Sequence, residues 1–448
     1  MGAGGSGAVP SIVPRVTVFT ATAIAIADMI GIGVFTSLGF QVRDIQTGFS
    51  LLMLWVVGGL AALSGAVCYA ELAAMFPRSG GEYNFLSRAY HPAVGFMAGW
   101  LSATVGFAAP IALAAMAFGA YLKGILPSAP SATVSALAIT WAITLVRLSG
   151  ARPSAAFQDI ATVFKVVLIA GFIVAAFAFG EPQPVTFVPQ AADWSSLVSM
   201  PFAISLVFVM YSYSGWNAST YIVGDMANPQ RDAPRALILA TVVVMALYVG
   251  LNAAFIYTTP LAMLAGKIEV AQVVGAHIFG PAGGRVVAAL ICFGLISAIS
   301  AMVWIGPAVT KAIGEDIAVL RPLASTSASG VPVPALVLQL AIVTVMILTQ
   351  SFERVLEFVQ FALTLSSFLT VAGVMVLRRT RPDIERPYRA WGYPFTPLVF
   401  LAITGFMLAY LMVGRPLESL ASLGLFAAGL ALYVLTAGRA AGGVKALL

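Results

Sequence analysis

The chain has 448 residues, 60% of them hydrophobic and 9% charged, with a formal net charge of +6. A soluble globular protein carries about 25% charged residues, and this much apolar surface cannot be hidden in one soluble core. The composition indicates an integral membrane protein and excludes soluble enzymes, nucleic-acid binders and disordered scaffolds, the excess of Lys and Arg being the usual topological bias of membrane chains.

Residues 1–14 form a Gly-rich tail. Twelve apolar runs follow, each near the roughly 20 residues that a spanning helix needs. They are helix 1 (15–41), helix 2 (47–76), helix 3 (94–122), helix 4 (131–148), helix 5 (160–179) and helix 6 (197–222). Then come helix 7 (236–257), helix 8 (286–309), helix 9 (331–348), helix 10 (355–377), helix 11 (397–413) and helix 12 (420–437). A single transmembrane domain over 15–437 is predicted, with a second tail at 438–448. No run alternates over about ten residues, as the strands of a membrane barrel do. The first run is too long for a signal-peptide core and has no small-residue cleavage site behind it, so it is expected to be retained. With the N-terminus inside, sixteen Lys/Arg fall on the inner side and six on the outer. This predicts cytoplasmic termini and a multi-pass protein of the cell inner (plasma) membrane.

Cys68 and Cys292 lie inside apolar runs, and His91 and His277 fall in loops. Neither a disulfide framework nor a metal site is supported. No cofactor, nucleic acid or obligatory partner subunit is implied; the expected partners are a small substrate and the bilayer.

Helix 1 contains Ile30-Gly31-Ile32-Gly33 near its middle, and helix 6 contains Tyr211-Ser212-Tyr213-Ser214-Gly215-Trp216-Asn217. Small residues at bilayer depth let a helix unwind, and a ligand can satisfy the freed backbone groups. Interrupted helices at corresponding positions of two halves point to a substrate site. Helix 6 is helix 1 plus five, which suggests an inverted repeat of helices 1–5 and 6–10. A lone Gly-x-Gly is also what close helix packing produces; the paired location and the polar cluster favour the site.

Those residues resemble the amino acid–polyamine–organocation superfamily, and within it the L-type amino acid transporter branch. The match runs through Ile30–Phe35, Gly65-Ala66-Val67-Cys68-Tyr69-Ala70-Glu71-Leu72 and Pro77-Arg78-Ser79-Gly80-Gly81-Glu82-Tyr83. It continues at Gly215-Trp216-Asn217, Asn228-Pro229-Gln230-Arg231, Arg381-Pro382-Asp383 and Arg386-Pro387-Tyr388-Arg389. The resemblance implies an all-α membrane fold of the LeuT type, with helices 1 and 6 unwound and helices 11 and 12 peripheral. It implies an amino acid whose carboxylate meets the amides of Gly31, Ile32 and Gly33, where a half-helix start attracts an anion. Its ammonium would meet the carbonyls of Met29, Tyr211 and Ser214, with Tyr211 as an aromatic gate and Trp216 and Asn217 beside the pocket. For Trp216 alone, packing is an equal reading. Residues 102–109 and 301–304 are expected to form the pocket floor.

Two ionisable residues lie deep in helices, Asp28 and Lys165, and such charges are functional candidates by default. Lys165 matches the helix 5 lysine of sodium-independent superfamily members, where the ammonium stands in for sodium, near Ser297 and Ser300. One positive charge there repels another; bracing of helix 1 against helices 5 and 8 is the structural alternative. At Asp28 the family more often has Asn or Thr. Its carboxylate has four readings: pairing with Lys165, carrying a proton, attracting a cationic substrate, or a protonated buried acid. Pro307 also departs from the branch, which usually has Arg there. Glu71 and Asp225 read as caps or salt-bridge partners, and the run Arg378, Arg379, Arg381 as a topology determinant near lipid heads.

The sequence therefore predicts a sodium-independent secondary transporter of amino acids, neutral ones first, by exchange or proton coupling. A cationic amino acid or polyamine carrier is the alternative that Asp28 favours. A membrane-embedded enzyme is the remote third, because no nucleophile–base set or metal cluster lies at mid-depth.

Overall fold

The computed structural model describes residues 16–150, 155–316 and 318–437. Both predicted tails lie outside the described residues. Among the described residues the apolar runs are largely helical, because a backbone in hydrocarbon must pair its N–H and C=O groups within itself. Among the described residues, nine helical segments are long and apolar enough to cross a membrane, and Ala132–Leu148 and Val333–Thr349 are shorter apolar helices. Among the described residues the only extended pairing is one bridge, Val16 to Met226. Hydroxyl side chains start several helices: Thr17, Thr47, Ser131, Ser199 and Ser351 each accept the amide three residues on, which satisfies an N–H that the first turn leaves open.

Helix 2 (Gly48–Met75) runs through the core along helix 7 (Pro229–Thr258). A Cβ on Gly58 would stand 2.5 Å from Val209 Cγ1, and one on Gly59 2.6 Å from Met245 Cγ. These glycines let backbones approach where hydrophobic association drives nothing between helices. Trp55, Tyr213 and Tyr248 fill the junction, with Trp55–Tyr248 ring centroids 5.7 Å apart and Tyr213–Tyr248 5.1 Å apart. Helix 3 contains a π turn over Ser102–Gly106, and Thr310 Oγ1 of helix 8 (Val270–Asp316) donates to the Ala103 carbonyl within it at 3.2 Å. Such turns are often found at functional sites, and this one occupies the predicted pocket floor.

The Met75 end of helix 2 is tied down by Glu71, which is 1% exposed. Arg378 of helix 10 (Phe352–Thr380) donates to it twice, at 2.9 and 2.5 Å. The Ala390 amide adds a bond at 2.7 Å, and Arg386 Nε stands 3.5 Å away. The reading of Arg378 as a residue facing lipid heads is therefore corrected: a bidentate partner for a buried carboxylate turns it inward. Glu71→Ala strands both guanidinium groups and should lower unfolding stability by about 3 kcal/mol, seen as a fall in melting temperature that Glu71→Gln only partly repairs. An unchanged melting temperature would show the pair to be solvent-screened.

The opposite end is closed by packing. Arg43 pairs with Glu353 at 3.2 Å, and Arg415 with Glu353 at 3.3 Å and Glu357 at 2.7 Å. Phe40 stacks between Phe208 and Phe352, with centroids 5.0 and 5.7 Å away. The Gly266 amide donates to the Gly39 carbonyl at 2.7 Å.

Candidate substrate site between the broken helices

Helix 1 breaks where glycine replaces side chains. Its first half is Val18–Met29 and its second Gly33–Gln41, with Ile30 at φ −76°, ψ 76° between them. The last carbonyls of a half-helix have no donors of their own, and here other elements supply them. The Tyr248 hydroxyl of helix 7 donates to the Met29 carbonyl at 2.5 Å. The Gly31 amide donates to the same oxygen at 2.7 Å. Lys165 Nζ reaches the Ala27 carbonyl at 3.5 Å, a cation at the negative end of a helix dipole. Lys165 is 8% exposed, and its stem passes Gly294 of helix 8, 3.8 Å from where a Cβ would stand. Ser297 is buried one turn further along helix 8, and Ser300 is half-buried. Gly31, Lys165, Gly294 and Ala298 help line a cavity of about 20 Å³, room for about one water molecule.

Helix 6 breaks after Tyr213. Ser214 is extended, and Gly215 has φ +98°, a conformation that favours glycine. A 3-10 helix, Ala218–Asp225, completes the segment. Ser214 donates to the Tyr211 carbonyl through its amide at 3.0 Å and its hydroxyl at 2.6 Å.

The two breaks touch. A Cβ on Gly215 would lie 2.6 Å from Asp28 Oδ2, and one on Gly33 would lie 2.7 Å from Ser212 Cα. Ser37 and Ser212 hydroxyls sit 3.1 Å apart across the same seam. Gly31 is different: a Cβ there meets only the Met29 carbonyl, at 4.0 Å. Gly33 is thus a packing glycine as well as a half-helix start, whereas Gly31 borders open space. The Asp28 side chain is exposed, and Ile24, one turn earlier on that face, is exposed too. Asp28 and Lys165 form no direct ion pair: the described pairs within 4.0 Å lie elsewhere.

Trp216 packs into the core, 4.6 Å from Tyr69 and 6.1 Å from Phe400 between centroids. Asn217 turns the other way and donates to Glu82 Oε1 at 3.3 Å. Sequence reasoning singled out neither Glu82 nor Tyr248, nor the Ser37–Ser212 seam. Glu82 lies in the Pro77–Tyr83 motif; Tyr248 and Ser37 carried no signal beyond being polar groups in apolar runs.

With this geometry in view, the family profile described as Amino acid permease matches residues 16–435. The chain belongs to that family. It is 27% identical over 416 residues to the b(0,+)-type amino acid transporter 1 of Mus musculus, covering 91% of this chain and 84% of the relative. It is 24% identical over 419 residues to the serine/threonine exchanger SteT of Bacillus subtilis (strain 168), covering 92% and 94%. It is 25% identical over 456 residues to the large neutral amino acids transporter small subunit 2 of Homo sapiens, covering 97% and 82%. These relatives are transporters and exchangers, not enzymes, and the chain is a multi-pass membrane protein of an amino acid transport family.

Proposed function

We propose that this permease-family member is a sodium-independent secondary transporter of neutral amino acids, working by exchange or proton coupling through alternating access. The observation that carries the reading is the Lys165 ammonium, 3.5 Å from the Ala27 carbonyl at the end of the first half of helix 1. A fixed cation already answers that negative helix end, and a mobile cation beside it would be repelled. The twelve helices are taken as a LeuT-type repeat of helices 1–5 and 6–10, with helices 11 and 12 peripheral and both termini cytoplasmic. In this reading the Arg43–Glu353 end faces outward and is closed, while Asp28 is reached from the inner side.

The substrate carboxylate is assigned to the start of the second half of helix 1, at Gly31, Ile32 and Gly33, where first-turn amides lack helical acceptors and the Gly31 amide would exchange its bond to the Met29 carbonyl. Its ammonium is assigned to the carbonyls of Met29, Tyr211 and Ser214. Met29 and Tyr211 already accept bonds from Tyr248 and Ser214, so binding shares or exchanges those bonds. Asp28, exposed beside Gly215, favours one second reading, a cationic amino acid or polyamine carrier.

The test is purified protein alone in liposomes, loaded with and without internal amino acids. Uptake in sodium, potassium and choline should agree within about twofold, since one charge already occupies the place of the ion. A steep, saturable sodium dependence sinks the proposal. Preference for lysine, arginine or putrescine over neutral amino acids promotes the cationic reading. Transport by this chain alone also tests whether it works without a second subunit.

A further inference from the structure

Glu82 has no task in the reading above, yet it is the most elaborately bonded carboxyl near the helix 6 break. It sits on the loop helix Gly81–Ala89 and is 5% exposed. Four donors from three other elements converge on it. The Tyr69 hydroxyl of helix 2 donates at 2.6 Å. Ser366 and Ser367 of helix 10 donate at 3.1 and 3.0 Å. The Asn217 amide, in the helix 6 break, donates at 3.3 Å.

We propose that Glu82 is a proton-binding site coupled to transport: the ionised carboxylate fastens the helix 6 break through Asn217, and the protonated acid releases it. This rests on the transporter reading above.

All four donors are neutral. The charges on the surrounding elements are directed elsewhere. Glu71 on helix 2 is held by Arg378 of helix 10. Arg88, on the same loop helix, donates to Asn84 and covers the Phe76 ring. On the helix 6 side stand the exposed Tyr221 and Asp225, and on helix 1 Asp28. At the start of helix 3, His91 Nδ1 accepts the Ala93 amide. Among the described residues no cation pairs with Glu82; burial pushes its carboxyl above the usual carboxylate range, while bonds from Tyr69, Ser367, Ser366 and Asn217 pull the other way. Both protonation states can be satisfied: the ionised form by four donors, the acid by a serine hydroxyl rotating to accept. The proton adds to one carboxylate oxygen and leaves to water; no other covalent bond changes. What changes is the charge that Asn217 binds, and a charge-assisted bond is roughly twice as strong as a neutral one.

Binding of a labelled L-amino acid mixture to detergent-purified protein, between about pH 5 and pH 8, reads this directly. Wild type should change about tenfold with a one-proton slope. Glu82→Gln should bind and stay flat within about twofold over the same range. Ser366→Ala combined with Ser367→Ala removes donors to the ionised form and should move the midpoint up by about one pH unit. A flat wild type, a Glu82→Gln variant that keeps the wild-type slope, or an unmoved midpoint in the serine variant overturns the proposal.

Melting temperature against pH gives a readout that needs no substrate. A folded-state pKa above the unfolded value gives stability that is present below the unfolded pKa and lost as pH rises through the folded one. Glu82→Gln should therefore gain on wild type as pH rises, and a constant difference overturns the proposal. If no amino acid binds to wild type while this difference grows with pH, the transporter reading fails and the titrating site stands.

Discussion

Gly33→Val should abolish amino acid binding and lower the melting temperature, whereas Gly31→Val should abolish binding and leave the fold intact. The two glycines are two residues apart and both sit at the head of a half-helix, so sequence alone treats them alike. Their surroundings differ. The first atom of a side chain at Gly33 meets the Ser212 backbone Cα at 2.7 Å, and backbone cannot swing aside as a flexible side chain can. Helices 1 and 6 must separate there, and overpacking of this kind costs about 1–3 kcal/mol. At Gly31 the nearest atom is 4.0 Å away, so valine adds bulk only where a substrate carboxylate would approach. Binding and thermal unfolding of both variants, in the same detergent, decide the matter. Normal binding by Gly31→Val moves the carboxylate away from the helix 1 break. An unchanged melting temperature for Gly33→Val means that the seam is looser than the structure has it.

The positions of the membrane helices were legible because burial in a bilayer demands about 20 apolar residues in a row, and that demand is local in sequence. The two breaks were legible for the same reason: Gly31, Gly33 and Gly215 depart from an otherwise apolar helical run over a few residues. What escaped is what depends on residues far apart in the chain. Glu82 bonds to positions 13, 135, 284 and 285 residues away, and nothing local marks those four as its partners. Tyr248 reads as an interfacial or core aromatic until its hydroxyl is seen on the Met29 carbonyl, 219 residues away. Arg378 shows why a charge run is ambiguous. Its neighbour Arg379 is exposed, while Arg378 is drawn inward by a carboxylate on another helix. Trp216 had two equal readings, and ring contacts with Tyr69 and Phe400 put it in the core, where a pocket role would have to act through Asn217 beside it.

Lys165→Ala should collapse transport, while Asp28→Asn should cost little stability. Lys165 is buried and its ammonium stands against a half-helix end; removing it leaves the Ala27 carbonyl without that partner and opens a place where sodium can enter. Uptake by this variant should collapse in choline and recover, if at all, only in sodium. Asp28 carries the same size of charge but its side chain is exposed, and a charge that water reaches contributes little to folding. Since the two groups make no direct pair in this conformation, a double-mutant cycle in melting stability should return a coupling below about 1 kcal/mol. A coupling of about 2 kcal/mol or more would mean that they touch in the state dominant in solution. In that state the first half of helix 1 would have to move so that the Asp28 carboxylate reaches Lys165 on helix 5. A small coupling leaves Asp28 free to act on the substrate instead. Asp28→Asn should then lose uptake of lysine, arginine and putrescine selectively if the carboxylate recognises a cationic side chain, and should leave the pattern of neutral amino acids unchanged if it does not.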